Sequence, residues 1–337
     1  MDYRQQTVAI DLIDRNDRTF RISTDTGIDP LKNSIAAVGL LHPPLLLKVS
    51  AGYIVVSGYR RVAACKRLGW KQVPGRVLDG RTDGLMLARL AIADNAGQRC
   101  LDRIEAARAV ALLAGYVKDP STLVAEAGAL GLSDSKEMTT KLLALSRLPD
   151  FLQAAVGDMT LSFPLALELG QTPLETASAL TELFSRLKPS LNRQREFVEL
   201  LTDISRRENT AIAALLREAQ AAAILDDPKL DRNRKSRLLK DCLTRRRFPA
   251  ISRAEADFAR ALKKLALAPG TTLAAPRHFE GGTYTLSLSF RNRRELERQT
   301  EGLNRILRDS VIDDLLRGPE IDSVESAETF GNRRTLV

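Results

Sequence analysis

Residues 53–70, YIVVSGYRRVAACKRLGW, carry the strongest structural signal in this chain. Their β-branched start predicts a strand that stops at Ser57 and Gly58, and a helix that begins at once with Arg60 and Arg61. A glycine there permits a tight turn that a Cβ would obstruct. The unpaired N–H groups of a helix start, beside two guanidinium groups, predict a site for a phosphate of a nucleotide or of DNA. A plain strand–helix joint with two solvated arginines is the alternative.

The composition indicates a polyanionic partner and argues against a membrane protein. The 337 residues suffice for two or three domains, and their formal net charge is +9. No apolar run is long enough to span a bilayer, and the first residues lack the apolar core of a signal peptide, so we expect a cytoplasmic protein. Three scattered cysteines and two histidines exclude a disulfide framework, a zinc site and a multi-histidine metal centre.

The expected fold class is α+β, with a small mixed α/β domain in residues 1–100 and an all-helical domain in residues 101–230. The first domain combines predicted strands at 8–12, 45–49, 53–56 and 73–77 with helices at 31–38 and 61–68. In the second, a helix at 123–130 capped by Ser121, a turn containing a glycine and a helix at 135–146 predict a helix-turn-helix. An ordinary helical hairpin is the alternative. Residues 193–223 are expected to form one long amphipathic stretch.

The rest of the chain is divided by its charge pattern. Residues 231–250 form a basic linker, residues 251–320 a small α/β unit suited to dimerisation, and residues 321–337 a flexible tail. In the α/β unit, residues 283–290 predict a strand and residues 293–316 one long helix. Because a lone strand is unstable, its partner must be residues 271–273, the first domain or a second copy of the chain.

Four segments resemble, in their order, the N-terminal domain of ParB-type partition proteins. They are LKNSIAAVGLLHPPLLLKV at 31–49, the opening segment at 53–70, VPGRVLD at 73–79 and LAIADNAGQRCLDRIEAARA at 90–109. The family has an L-x-x-S-I-x-x-x-G-L-x-x-P box, a G-E-R-R box and an E-N-x-x-R box at these places. The resemblance extends over residues 12–149, and residues 141–156 are similar to the helices of the family's central domain.

This resemblance implies a dimeric, nucleoid-associated clamp on double-stranded DNA that binds CTP with Mg²⁺ and serves plasmid or chromosome partition. The implied Mg²⁺ ligands are Asp94 and Asn95, which offer hard oxygen atoms where the family has Glu-Asn. A ParA-type ATPase is a further implied partner, although its recruitment signal normally lies at the extreme N-terminus, where the first domain here starts almost immediately. The implied nucleotide-binding residues are Gly39, His42, Pro43, Ser57, Gly58, Tyr59, Arg60, Arg61 and Arg99.

Three positions depart from the family pattern. Tyr59 replaces the glutamate of G-E-R-R, which removes a carboxylate that could orient water or help to hold the metal. His42 replaces a glutamine. Gln98 stands where the family has arginine, with Arg99 one residue later, and one step along a helix rotates a side chain by about 100°. We therefore assign no catalytic residue and expect at most a weak CTPase.

The expected DNA contacts come from two places. On the second helix of the helix-turn-helix they are Lys136, Thr139, Thr140 and Lys141. Acidic residues at 134 and 137, and a turn about two residues longer than the family's, favour altered or weak sequence preference. The basic run at 231–247 would track a DNA backbone through Arg245, Arg246 and Arg247, the alternative being a solvated helix and linker.

Three other functions are alternatives to this one. A sulfiredoxin-type redox enzyme would need a reactive cysteine where Tyr59 stands, and Cys65 lies among apolar neighbours inside a helix, where a thiol is inert. A nuclease of ParB-like fold would need clustered carboxylates around a metal, for which only Asp94 and Asn95 qualify. A DNA-binding transcriptional regulator without a partition role or a partner ATPase is excluded by no feature of the sequence.

Overall fold

The computed structural model describes residues 3–24, 27–97, 99–279 and 282–317. Two compact units divide the chain, Met1–Leu191 and Asn192–Val337. Gln98 and the proposed tail at 321–337 lie outside the described residues. None of the helices in the described part of the chain combines the length and apolar character that a membrane span requires.

The first unit begins with a five-stranded mixed sheet in the order β1-β5-β3-β4-β2. Strands β3 and β4 form an antiparallel hairpin, in which Leu47 pairs with Ile54, while β5 runs parallel to β3. The strands are β1 Arg4–Ala9, β2 Ile13–Asp14, β3 Leu45–Val49, β4 Gly52–Ser57 and β5 Gln72–Leu78. The strand predicted at 8–12 is therefore wrong in its bounds, because the chain leaves β1 at Ala9 and turns through a 3₁₀ segment, Ile10–Leu12.

Each face of this sheet is covered by helices, because the side chains of a strand alternate between its two faces. Helices α1 (Asp29–Val38) and α2 (Tyr59–Arg67) pack against each other, and their Ile35 and Val62 share an apolar core with β-strand residues such as Leu46 and Val55. On the other face, Leu87 and Ala91 of α3 (Gly84–Ala96) pack with Leu45, Leu47 and Val56.

Six further helices complete the first unit. They are α4 Arg103–Tyr116, α5 Pro120–Ala129, α6 Lys136–Ser146, α7 Asp150–Gly157, α8 Phe163–Leu169 and α9 Leu174–Leu187. Asp102 and Glu105 form a capping box at the start of α4. The cap of α5 is Asp119, which accepts the N–H of Thr122, and not Ser121 as expected. Helices α5 and α6 contact each other and α4, an arrangement that fits both the predicted helix-turn-helix and an ordinary helical hairpin.

The second unit contains more helix breaks than its sequence suggests. Its elements are α10 Leu191–Glu208, α11 Ile212–Arg217, α12 Ala219–Asp226, α13 Arg232–Arg247, α14 Pro249–Leu265, β6 Thr271–Ala274, β7 Thr285–Leu288, α15 Arg293–Ile306 and α16 Ser310–Arg317. The single stretch expected at 193–223 is wrong, because Asn209 adopts a left-handed conformation with φ 49° and ends α10. The single helix expected at 293–316 is also wrong, since the Asp309 carboxylate accepts the N–H of Val311 at 3.0 Å and starts a new helix.

Two further expectations on the second unit have clear outcomes. The basic linker at 231–250 is corrected, because its residues form α13 and the start of α14, and Leu239 and Leu243 are buried. The strand β7 pairs with β6, one of the three partners considered for it. The α+β class is confirmed, with a mixed sheet in the first unit and a strand pair among helices in the second.

Candidate functional site

Gly58 joins β4 to α2 in the geometry that the sequence predicts. Its φ is 98°, in the left-handed region that disfavours side chains. A Cβ at this position would lie 3.0 Å from Pro44 Cβ and 3.1 Å from Arg61 Nε. No side chain caps the start of α2, so the first N–H groups of the helix stay available to a ligand.

The start of α2 opens into a cavity of about 230 Å³. Six of the predicted nucleotide-binding residues line it, namely His42, Gly58, Tyr59, Arg60, Arg61 and Arg99. The other lining residues are Phe20, Ile22, Ser23, Leu31 and Asn95. Within the described part of the chain, three arginines therefore meet at this cavity and no carboxylate lines it. A cavity with this lining favours an anionic ligand.

Three predicted nucleotide-binding residues do not line the cavity. Gly39 ends α1, where its N–H donates to Ile35 O. The Pro43 carbonyl accepts a hydrogen bond from Arg61 at 3.4 Å. Ser57 is 2% exposed and its hydroxyl donates to Asp94, so its side chain is already engaged within the protein.

The adjacent arginines of α2 have different environments. Arg60 Nη2 donates to Gly27 O at 3.0 Å, and its Nε has no hydrogen-bond partner in the described residues. Arg61 Nη1 donates to His42 O at 2.9 Å, and its Nη2 lies 2.7 Å from the Asp94 carboxylate. Because Arg61 is neutralised by Asp94, Arg60 supplies the free positive charge at the start of α2.

Asp94 lies at the centre of a network that ties α3 to the sheet and to α2. Its carboxylate accepts from Ser57 and from Arg61, and Arg76 Nη2 lies 3.6 Å from its second oxygen. Burial opposes ionisation of this carboxyl group, but the Ser57 hydrogen bond and the two guanidinium charges outweigh it. They hold the pKa of Asp94 below its ordinary value.

These contacts do not fit the metal site implied for Asp94 and Asn95. Both oxygens of Asp94 face arginines, and a bound cation would have to displace or oppose those positive charges. The Asn95 side chain donates its Nδ2 to Ala91 O at 2.7 Å. Among the described residues, no group of three or more His, Cys, Asp or Glu side chains is arranged to hold a metal ion.

Tyr59 occupies the cavity wall as a neutral phenol. Burial, and secondarily the charge of Asp17, raises the pKa of its hydroxyl group. The guanidinium carbon of Arg21 lies 5.9 Å from the centre of its ring. A neutral phenol cannot serve as the general base that a carboxylate would provide at this position.

Arg99 connects the cavity to α4. Its guanidinium pairs with both oxygens of Glu105, a residue whose exposure is only 1%. Glu105 also accepts the backbone N–H groups of Thr24 and Asp102, each at 3.1 Å. Burial opposes ionisation of Glu105, but the Arg99 and backbone hydrogen bonds lower its pKa. Ser23 of the cavity wall is held to the same helix by Arg108, which donates to its carbonyl oxygen at 3.3 Å.

The sequence reasoning missed the wall that residues 20–23 contribute. Phe20 and Ile22 are 4% and 2% exposed, although they belong to a loop rich in charged residues. The signal was available, since two apolar residues two positions apart in such a loop indicate a side facing the core.

The predicted DNA contacts on α6 are divided between its two sides. Lys136 and Thr140 are exposed, and half-buried Lys141 forms an ion pair with Glu137. The prediction that Thr139 contacts DNA is wrong, because Thr139 is 2% exposed and its hydroxyl donates to Ser135 O at 3.0 Å on the inner side of the helix. It cannot reach a DNA groove while α6 remains folded against its neighbours.

The three arginines predicted to track a DNA backbone also differ. Arg246 pairs with Glu208 and Glu218, and these hydrogen bonds raise its pKa. Arg247 Nε lies 3.1 Å from the Asp203 carboxylate. Both charges are neutralised within the protein, and the role of these two residues in DNA binding stays a prediction. Arg245 is exposed and forms no ion pair with a described residue; its Nε donates only to Asp241 O.

A family model described as "ParB N-terminal domain" matches residues 2–96. A probable plasmid-partitioning protein ParB of Thermus thermophilus is 29% identical over 63% of this chain and 80% of its own length. A probable chromosome-partitioning protein ParB of Campylobacter jejuni is 34% identical, and a nucleoid occlusion protein of Lysinibacillus sphaericus 32% identical. These two matches cover 32% and 40% of this chain, and less than half of each relative, 38% and 44%.

Two solved structures of C-terminally truncated ParB from Caulobacter crescentus match parts of this chain. The one in complex with CTP-γ-S is 22% identical, covers 54% of this chain and 98% of its own, and superposes with a TM-score of 0.25. The one in complex with the centromeric parS site is 21% identical, covers 56% of this chain and 96% of its own, and has a TM-score of 0.33.

Proposed function

Since residues 2–96 belong to the ParB N-terminal domain family and the chain is related to ParB-type partitioning proteins, we propose that it is a CTP-responsive DNA-binding protein. It acts as a dimeric clamp on double-stranded DNA in plasmid or chromosome partition. The observation that carries this proposal is the cavity at the start of α2, with its three arginines and no carboxylate in the described lining.

The nucleotide triphosphate lies at the N-terminus of α2 in this proposal. The uncapped N–H groups at that end can donate hydrogen bonds to a phosphate, and the helix dipole adds to the attraction of negative charge. Arg60 lines the cavity with a guanidinium that no described carboxylate neutralises, and such a group can donate charge-assisted hydrogen bonds to a phosphate. Phe20 and Ile22 offer apolar contacts to the rest of the nucleotide.

Arg99 can bind a phosphate only at a cost to its pair with Glu105. That pair supports the start of α4, and α4 packs against α6. An anion that attracts Arg99 would therefore weaken a contact between the nucleotide cavity and the helix-turn-helix. This is the route by which CTP changes DNA binding in our proposal.

Mg²⁺ accompanies the triphosphate in this proposal, but the residues implied as its ligands do not fit a protein-held site. Asp94 is satisfied by Ser57, Arg61 and Arg76, as described above. We therefore assign Asp94 to the folding of the site, and expect the phosphates themselves to supply the ligands of the metal. Hydrolysis is weak or absent, because Tyr59 is a neutral phenol and no described carboxylate lines the cavity.

DNA is read by α6, and a homodimer is the expected assembly. Lys136 and Thr140 are exposed on α6, and Lys141 can reach DNA by leaving its pair with Glu137. A ParA-type ATPase is the expected further partner, and the protein is expected on the nucleoid in the cytoplasm. A DNA-binding regulator without a partition role is the second candidate function. The similarity to a nucleoid occlusion protein supports this candidate.

The first test is calorimetric titration of the intact protein with each of the four nucleoside triphosphates and Mg²⁺. We expect selective binding of CTP, and loss of one charge-assisted contact in Arg60→Ala should weaken it by about 1.5–3 kcal/mol, roughly 10- to 150-fold. Arg67→Ala is the matched control, since it removes an exposed arginine at the other end of α2. Phosphate release measured on the same samples should stay at background.

Three outcomes would contradict this proposal. The absence of binding by every triphosphate would leave a plain DNA-binding protein. CTP binding by Arg60→Ala that equals that of the parent would remove the start of α2 from the site. Rapid phosphate release would show that hydrolysis in this cavity does not need a carboxylate from the described lining.

A further inference from the structure

The outward side of α13 carries a row of unpaired arginines. Arg234, Arg237 and Arg245 are exposed, and none of them forms an ion pair with a described residue. Positions separated by three and by eleven residues lie on one side of a helix. At 1.5 Å per residue, the row extends over about 17 Å. Asp241 lies on the same side and is the acidic residue within the row.

Four other cations of α13 contact the rest of the second unit, while Arg232 at the start of the helix is exposed and lies outside the row. Arg246 and Arg247 pair with acidic residues of the neighbouring helices, and Lys240 pairs with Glu196 at 3.0 Å. Lys235 donates to Leu225 O at 2.6 Å. Leu239 and Leu243 are buried on the inner side. Three of these cations are therefore paired with carboxylates and Lys235 with a backbone carbonyl, whereas the three arginines of the row have no carboxylate partner among the described residues.

We propose that Arg234, Arg237 and Arg245 form a second, sequence-independent binding surface for the phosphate backbone of double-stranded DNA. Duplex DNA carries one negative charge per about 1.7 Å of its axis, so a 17 Å row faces on the order of ten phosphates. A membrane surface fits less well, because α13 exposes no large apolar side chain that could enter the lipid interface. The inference rests on the DNA-binding function proposed above. The surface adds affinity for DNA without sequence preference.

The test measures binding of the full chain to a random-sequence DNA duplex over a range of salt concentrations. The variant Arg234→Ala/Arg237→Ala/Arg245→Ala should flatten the slope of log affinity against log salt by up to about 2.7, since each neutralised phosphate contributes about 0.9. The ratio of affinities for a preferred and a random duplex should not change. The lysine variants at the same three positions should retain the parental slope, because they keep the charges.

The matched control removes the same number of charges from another helix of the second unit. Arg291, Arg294 and Arg298 are exposed on and beside α15, where Glu297 and Glu301 interrupt any continuous positive side. Their triple alanine variant should retain the parental slope. The circular dichroism spectrum and thermal midpoint of all variants should match the parent, since every replaced side chain is exposed.

Specific outcomes separate this inference from the proposed function. A parental slope in the α13 alanine variant, or equal flattening in the α15 control, would overturn the α13 surface and leave the proposed function intact. Equal or tighter binding of an RNA duplex of the same length, lost in the α13 variant, would overturn DNA as the partner. A parent that binds no duplex at all would overturn the DNA-binding function itself.

Discussion

Two neighbouring arginines at the start of α2 have separate roles. The Arg61 side chain is 13% exposed and its guanidinium is fixed by Asp94 and by two backbone carbonyls. Arg60 also lines the cavity, and its guanidinium makes one backbone contact and no ion pair with a described residue. Both arginines line the cavity, but successive helix positions differ by about 100° in direction, and only Arg61 reaches Asp94 of α3. We therefore expect Arg61 to stabilise the fold and Arg60 to bind the ligand.

This division predicts that two single alanine substitutions change the free energy of unfolding by different amounts. Arg61→Ala should lower the free energy of unfolding by about 1.5–3 kcal/mol, because it leaves the Asp94 carboxylate with a weaker set of partners. Arg60→Ala should change it by no more than about 0.5 kcal/mol. Urea denaturation at pH 7 measures both. In a double-mutant cycle, Arg61→Ala and Asp94→Ala should show coupling; strictly additive effects would contradict the pair.

Elements were predicted well where the signal is local and poorly where the partner is distant in sequence. The strand–turn–helix at residues 53–70 follows from Gly58 and adjacent periodicity, and it was predicted correctly. The pairing of Arg246 depends on Glu208, 38 positions earlier, so a sequence run shows its charge and not its partner. Likewise, Asp94 offers metal-binding oxygens in the sequence, but Arg61 and Arg76 occupy them in the fold.

Helix α6 provides a prediction at the scale of one element, since its two sides should respond differently. Replacing exposed Lys136 and Thr140 with alanine should reduce the preference for a specific DNA duplex, by about 1–3 kcal/mol for each contact to a base. Thr139→Ala should lower stability by about 1 kcal/mol, through the lost hydrogen bond to Ser135, and leave that preference unchanged. Fluorescence anisotropy with specific and random duplexes, together with thermal unfolding, measures both.

If the effects of the α6 variants were reversed, they would contradict the orientation in which Lys136 and Thr140 face DNA. If Thr139→Ala lost DNA preference at unchanged stability, the buried side of the helix would have to face the groove. Lys141→Ala is a useful third variant, because its pair with Glu137 is exposed and worth little to stability. It should reduce preference while changing the salt slope by no more than about one unit.

In the whole molecule, each unit carries its own carboxylates held by arginines. In the first unit, Asp94 and Glu105 have lowered pKa values, against the opposing effect of their burial. In the second unit, the hydrogen bond from Arg246 is the main cause that lowers the pKa of Glu208; burial opposes it, and a hydrogen bond from Arg207 adds to it. A carboxyl group with a folded-state pKa below its unfolded value contributes stability above the unfolded value, and that contribution is lost as the pH falls through the folded pKa. Because all three shifts have the same sign, acid should destabilise both units.

We therefore predict that the free energy of unfolding falls steadily as the pH is lowered below about 4.3, the ordinary pKa of a glutamate. Trp70, the one tryptophan of the chain, packs against the core of the first unit, so its fluorescence reports acid unfolding there. Circular dichroism reports both units. Glu105→Gln should reduce the pH dependence seen by Trp70, whereas Glu208→Gln should change only the dichroism transition. If Glu208→Gln shifted the Trp70 transition equally, the two units would unfold as one, and a stability that rose in acid would contradict the arginine–carboxylate pairs themselves.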